Sequence, residues 1–354
     1  MKDMSSRTCF ILGLVCLLLA QALASGVLVA KREALVPNRD VYGALEPGEF
    51  AGTLMLGGFR GLACDLLWMR AQNAKEHGYY YESVALADSI STIQPRFEQI
   101  WEYMAWDMAY NIAHEVEDEG GQWAWFLAGL EVNVRGVMRN PQGERLVRHL
   151  AWMFHHKGDE FRTRIETTAW APLINPVLGL INAETPADRR IELLPPGPGL
   201  GNYEISERLY MAAIRAAEAN HLRVLPFVRR MVPIAIERDG NRLRNRGEHL
   251  RALGRYVTSL RTWQELLEWN RKAAFGQDTR QDREIATDIA QHNEGHLLRK
   301  TELLAMELAE VPALASQVVA DIHARRYDAV ERELKGPGWR ASVAQAKVRW
   351  LDEQ

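Results

Sequence analysis

Residues Pro95–Trp106 read PRFEQIWEYMAW, and residues Pro141–Trp152 read PQGERLVRHLAW. Each stretch starts at a proline and closes on Ala-Trp, and the two lie 46 residues apart. Trp101, Met104 and Ala105 in the first, and Leu150 and Ala151 in the second, mix large and small side chains at the spacing of one helix face. A second amphipathic stretch precedes each proline. Gly78, Tyr80, Ser83 and Ile90 lead up to Pro95, and Gly129 and Gly136 stand before Pro141 where Ser83 and Ile90 stand before Pro95. Small residues there let two helices approach, and the proline, which has no backbone donor, marks the turn into the next pair. Phe154 and then Gly158-Asp159 continue the second unit into a further turn. One such pair cannot bury its apolar face alone, so its recurrence predicts neighbours stacked around a continuous core.

The chain on either side extends this reading. Phe59, Leu62, Ala63, Leu66 and Leu67 recur at i, i+3, i+4 spacing, and no segment alternates as a strand does, so the fold class is all-α. Between Asn175 and Asn202 stand Pro176, Pro186, Pro195, Pro196 and Pro198 with Gly197, Gly199 and Gly201 interleaved. That composition predicts a loop or hinge separating helical repeats over 51–174 from a second helical region over 203–354. Pro226 and Pro233 are expected to kink or end helices in the second region. Gly276–Asp278 and Gly336–Gly338 mark further breaks.

Over about residues 57–170 the chain resembles the tetratricopeptide-repeat superfamily. The resemblance implies stacked antiparallel helix pairs forming a solenoid whose concave surface binds extended peptides or helices of partner proteins. The sequence departs from that pattern in two places. Ile90 is larger than the usual alanine, and the interval from Pro95 to Pro141 exceeds the usual spacing of about 34 residues. Extra helix and the acidic turn Glu115–Gly121 fill the difference. GGFRGLACDLLWMRA, Gly57–Ala71, is similar to the opening of a group of membrane-anchored bacterial repeat proteins, which implies architecture and location but no catalytic residues. With repeat geometry, first-helix residues not used in packing line the concave face. The candidate partner-binding residues are Glu98, Glu102, Arg145 and Arg148.

The 354 residues carry 43 Lys and Arg against 46 Asp and Glu, a net charge of -3, which gives no basic footprint for nucleic acid. The cysteines Cys9, Cys16 and Cys64 form neither a disulfide framework nor a CxxC motif. Residues 9–30 read CFILGLVCLLLAQALASGVLVA, uncharged and long enough to span a bilayer, behind a short tail (1–8) with Lys2 and Arg7. Ala22-Leu23-Ala24 also fits a signal-peptidase site. Apolar sequence continuing to Ala30 favours an uncleaved anchor, followed by a linker over 31–50 with Pro37, Gly43 and Pro47. The expectation is a single-pass inner-membrane protein with its large domain on the periplasmic side. Its partners are then proteins of the cell envelope.

Chemical motifs are few. His292 and His296 share a helix face, but HNEGH is not the HExxH of a zinc protease and lacks a nameable third ligand. His155-His156 read as imidazoles near a helix C-terminus, and Glu115–Glu119 as a solvated turn. Arginines from Arg229 to Arg255 read as a solvated face paired with Glu237, Asp239 and Glu248, or alternatively as a site for a carboxylate or phosphate. No phosphate loop, dinucleotide fingerprint or nucleophile elbow is present. The sequence therefore points to a non-catalytic interaction protein with no cofactor. The alternatives are a secreted or periplasmic ligand-binding protein with Leu194–Gly201 closing over a groove, and a metal-assisted enzyme using His292 and His296.

Overall fold

The computed structural model describes residues 59–141, 143–222, 224, 226–272, 280–308 and 312–335, all within the unit Gly52–Gln354. The apolar segment 9–30, the linker 31–50 and the breaks at Gly276–Asp278 and Gly336–Gly338 lie outside the described residues. Among the described residues there is no strand, and no helix is long and apolar enough to cross a membrane.

Helices α1 (Arg60–Glu76) and α2 (Tyr80–Ile93) form the first hairpin. Helix α3 (Glu98–Trp106) continues through a π-helical stretch, Asp107–Ile112, into a last turn at Ala113–Glu115, and pairs with α4 (Glu119–Arg139). Asp118 caps α4 by accepting from the Gly121 N–H at 2.7 Å, so the acidic turn starts a helix. Helix α5 (Glu144–His156) does not find its main partner next in sequence. Two short helices, α6 (Arg162–Thr167) and α7 (Ala171–Ala183), and an irregular segment intervene before α8 (Asn202–Ala219) returns to pack along α5. Then α8 packs on α9 (Pro226–Asn245), α9 on α10 (His249–Lys272) and α10 on α11 (Arg280–Leu308). Helices α12 (Pro312–His323) and α13 (Tyr327–Leu334) complete the stack against α11 and α10.

One backbone device ends four of these helices. After α1, Gly78 has φ +77°, its N–H bonds Lys75 O at 2.9 Å, and the Tyr79 N–H reaches back to Ala74 O at 2.9 Å. This is the Schellman arrangement, which satisfies orphan carbonyls at the price of one left-handed residue. Gly247 does the same between α9 and α10. Between α8 and α9 and between α12 and α13 the left-handed residue is not glycine but His221 (φ 53°) and Arg325 (φ 58°).

Gly129 and Gly136 sit where α4 meets α3. A Cβ on Gly129 would lie 2.6 Å from the backbone oxygen of Ala105, and one on Gly136 would lie 2.7 Å from Trp101 Cβ. The small positions of the repeat are therefore points of helix contact. Trp101 donates from Nε1 to Pro95 O at 3.0 Å, and Asn140 Nδ2 donates to the same oxygen at 3.0 Å, so the proline turn is tied to both helices.

The Pro/Gly-rich segment needs correction on two points. First, its opening residues are helical, because α7 runs through Pro176 to Ala183. Pro176 loses a single backbone bond, while Ile174, Val177, Leu178 and Ile181 bury one apolar face, and that burial outweighs the loss. Second, the irregular part, 184–201, does not divide the core. One cluster of buried apolar residues runs from Cys64 to Ile236, across the segment, and a second runs from Leu243 to Leu334. The boundary between the clusters falls inside α9. Pro226 opens that helix, and Pro233 sits within it without ending it.

Candidate functional site

The exposed face of α3 carries Gln99, Glu102, Tyr103, Trp106 and Tyr110, and that of α5 carries Arg145, Arg148, His149, Trp152 and His156. Each residue of the second set stands 46 positions after its counterpart in the first. These equivalent faces lie side by side, and their residues other than Tyr110 and His156 line one open groove of about 670 Å³, closed by Tyr210 from α8 and by Phe227 and Met231 from α9. Three of the four predicted residues, Glu102, Arg145 and Arg148, line it together. Glu98 lies one turn before Glu102 against Gly143, outside the lining. Burial pushes its carboxyl up, with Arg145 opposing.

Aromatic rings form the groove wall. Trp106 stacks on Tyr110 with centroids 6.4 Å apart, Tyr110 on Trp152 at 5.0 Å, and Trp152 on His156 at 5.0 Å. The ring column is continued by Trp68 of α1, 4.6 Å from Tyr103. The π-helical stretch carries Tyr110, and its buried Asp107 is held by Lys75 of α1 and by Asn111 Nδ2 at 2.6 Å. Such widened turns recur at functional sites because they re-aim the side chains on them.

The polar groups are arranged around this wall. Arg145 Nε donates to Glu102, and Arg148 Nε donates to Glu144 Oε2 at 3.1 Å. The Arg148 guanidinium sits 5.5 Å from the centre of the Phe227 ring. His149 is buried and engaged at Nδ1 by Asn133 Nδ2 at 2.6 Å. Burial lowers its pKa to about 4, which keeps the ring neutral at pH 7. With Asn133 as the donor, the ring proton sits on Nε2. Tyr210 is 1% exposed, and its hydroxyl has no hydrogen-bond partner.

The walls supplied by Tyr210, Phe227 and Met231 escape the sequence reading. They lie far along the chain from the repeat pattern, and only α5–α8 pairing brings them to it. The one sequence hint is Phe227 itself, an aromatic residue directly after the proline that starts α9, which remains 41% exposed.

The other predicted centres resolve differently. His292 and His296 are exposed on α11, and among the described residues no group of three His, Cys, Asp or Glu side chains is placed to share a metal ion. His155 and His156 close α5 as expected, and His155 is buried there. Its ring meets Tyr203 and Tyr210 edge-on, and burial lowers its pKa to about 4. Leu194–Gly201 contributes no residue to the lining of the α3–α5 groove. Asn175 and Asn182 of α7 each accept from and donate to one backbone residue, Leu194 and Ile191 respectively, at 2.8–3.0 Å, and Leu194 is in the core.

The arginine cluster is buried in part: Arg242 sits in a buried network with Asp239, while Arg246 and Arg251 stay exposed and Arg251 pairs with Glu248 as a solvated face would. Arg242 donates to Asp239 Oδ1 from Nε at 2.9 Å and from Nη2 at 2.6 Å, to Glu166 at 2.6 Å and to Glu204 at 3.2 Å. Arg246 takes the other oxygen of Glu166 at 2.6 Å, and Arg255 pairs with Glu207 and Asp239. Burial pushes the Arg242 guanidinium down, but Asp239, Glu204 and Glu166 hold it above its ordinary value. These groups come from α6, α8, α9 and α10, so the network clamps the chain where the two core clusters meet.

Comparison of the chain with protein-family models, with curated proteins and with solved structures returns no match.

Proposed function

We propose that this chain is a non-catalytic, membrane-anchored helical-repeat protein of the tetratricopeptide-like type, which holds a partner protein of the bacterial cell envelope in the α3–α5 groove. The observation that carries the reading is the equivalence of the two groove faces. Positions at the same place in successive repeat units present their side chains to one open surface, as repeat stacking gives an extended binding face. The groove is concave and aromatic, with a few charged groups at its edge, which is the composition of a recognition surface.

The test is site-specific photo-crosslinking in native membranes. A photoreactive residue at exposed Gln99 is compared with one at Glu131, which is exposed on α4 outside the groove lining. The expected result is one reproducible protein adduct from position 99 and none from 131. Absence of a specific adduct at 99, or the same adducts from both positions, refutes the reading.

A further inference from the structure

We propose that the segment held in this groove presents an apolar, ring-sized side chain beside a carboxylate, and that the carboxylate is received by the Tyr210 hydroxyl together with the Arg148 and Arg145 guanidiniums. The proposal rests on the groove being a partner site.

Tyr210 supplies the first observation. A buried hydroxyl without a partner forfeits its hydrogen bonds to water, and folded proteins rarely leave one so. This one belongs to a ring on the floor of the groove and is the least exposed of the lining residues. The charges acting on it are Arg148 and Arg238, both cationic. In that field the hydroxyl is set to donate to an anion.

The arginines supply the second. In Arg148 and in Arg145 it is Nε that holds an internal carboxylate, Glu144 and Glu102 respectively. The terminal nitrogens, the edge of the fork that grips carboxylates in a two-pronged way, make no hydrogen bond to the described residues. The Phe227 ring packs against the Arg148 guanidinium at 5.5 Å. The His149 ring, neutral and bearing its proton on Nε2, adds another donor. The charged residues of the lining are Arg145, Arg148 and Glu102, so guanidiniums outnumber carboxylates there and an acceptor with negative charge is favoured.

The rings supply the third. Trp106 is 37% exposed and Phe227 41%, and both line the groove, so it offers apolar surface to a ring or branched aliphatic group. The half-exposed Arg145–Glu102 pair is of the kind that contributes little by itself, so an incoming carboxylate exchanges with Glu102 at small cost.

The carboxylate has two sources, an Asp or Glu side chain or the C-terminus of the partner. The experiment separates them. Full-length protein in nanodiscs is titrated with four peptides, followed by tryptophan fluorescence and calorimetry. They are acetyl-Glu-Phe-amide, acetyl-Gly-Phe with a free carboxylate, acetyl-Gln-Phe-amide and acetyl-Glu-Ala-amide. At least one of the first two should bind about tenfold more tightly than both controls, the size of one charge-assisted hydrogen bond. Which of them does so names the source. Tyr210→Phe should lose about tenfold in binding while its denaturation midpoint does not fall, since the deleted hydroxyl has no partner in the free protein. Arg148→Gln should erase the preference for Glu over Gln. Equal binding of the acid and amide peptides, no binding by any of the four, or unchanged affinity in Tyr210→Phe overturns the inference. If the crosslink from position 99 survives those results, the groove binds a partner by other chemistry. If the crosslink fails as well, the partner-site reading falls with it.

Discussion

Replacing Gly129 by alanine tests whether the α3–α4 contact is as close as the repeat register requires. Two terms compete. In a helix interior alanine is favoured over glycine by about 1 kcal/mol. Against this, the new Cβ would stand 2.6 Å from the Ala105 carbonyl oxygen and 3.0 Å from the Ala109 Cβ. Ordinary carbon contacts begin near 3.4 Å, so α3 and α4 must part by several tenths of an ångström. The obstacle is backbone, not the end of a flexible side chain, and both Ala105 and Ala109 are fully buried. Overpacking of this kind costs about 1–3 kcal/mol, and the rigid obstacle places Gly129→Ala near the upper end. The net expectation is a loss of about 2 kcal/mol. Gly254, inside α10, has nothing within 4 Å of its virtual Cβ, so Gly254→Ala keeps the favourable term alone and gains about 1 kcal/mol. The two variants should therefore differ by about 3 kcal/mol, or roughly 5 °C in Tm for a unit of this size. Urea unfolding followed by tryptophan fluorescence measures this with the wild type alongside. Equal stability of the two variants would refute the close-packing argument.

Three further outcomes are expected. Arg242→Ala leaves Asp239 and Glu166 short of a buried partner and should cost about 3–5 kcal/mol, whereas Arg251→Ala, which breaks an exposed pair with Glu248, should change stability by less than about 1 kcal/mol. Comparison of urea midpoints checks both. His155, with a folded pKa of about 4 against about 6.5 unfolded, takes up its proton more readily in the unfolded chain, so stability is full above pH 6.5 and falls as pH drops towards 4. His155→Phe keeps a ring against Tyr203 and Tyr210 and should lessen that fall, the remainder coming from His149, while an unchanged pH profile would show that His155 does not contribute. His221→Gly and Arg325→Gly remove a side chain from left-handed backbone and should each stabilise by about 1 kcal/mol, read as a rise in Tm that Gly78→Ala reverses in sign.

What the sequence reveals follows the range of the interactions involved. The helix pairs of α1–α4 are legible because their determinants are local, namely Pro95, Pro141, Gly129, Gly136 and the Schellman glycine Gly78. The groove faces are half legible. The repeat register places Glu102, Arg145 and Arg148 on one surface, but it misses the rings that build the wall, because Trp106 and Trp152 look the same in sequence whether they are core or groove. Tyr210 and Phe227 are invisible, since the pairing of α5 with α8 is non-local. The Pro/Gly segment misleads because composition reports backbone freedom and not anchoring. Asn175 and Asn182 supply that anchoring, and Asn is as common in loops as in such roles. Arg242 misleads for a related reason. Opposite charges nearby in sequence suggest a wet surface, and Asp239 is indeed a partner, but the other two, Glu166 and Glu204, lie 76 and 38 positions away.

The interruption of the α5–α8 pair bears on the order in which the molecule is made. Hairpins such as α1–α2 and α9–α10 close short loops and form early, whereas α5 must wait for a helix beyond α6, α7 and the irregular segment, a contact of long sequence separation. During synthesis α3 and α5 are complete well before Tyr210 and Phe227 have been added. A nascent chain at that stage shows the tryptophans and arginines of the groove but neither its floor nor its far wall. The groove is therefore complete only once α9 has been translated and folded back, while α10–α13 are still to be added.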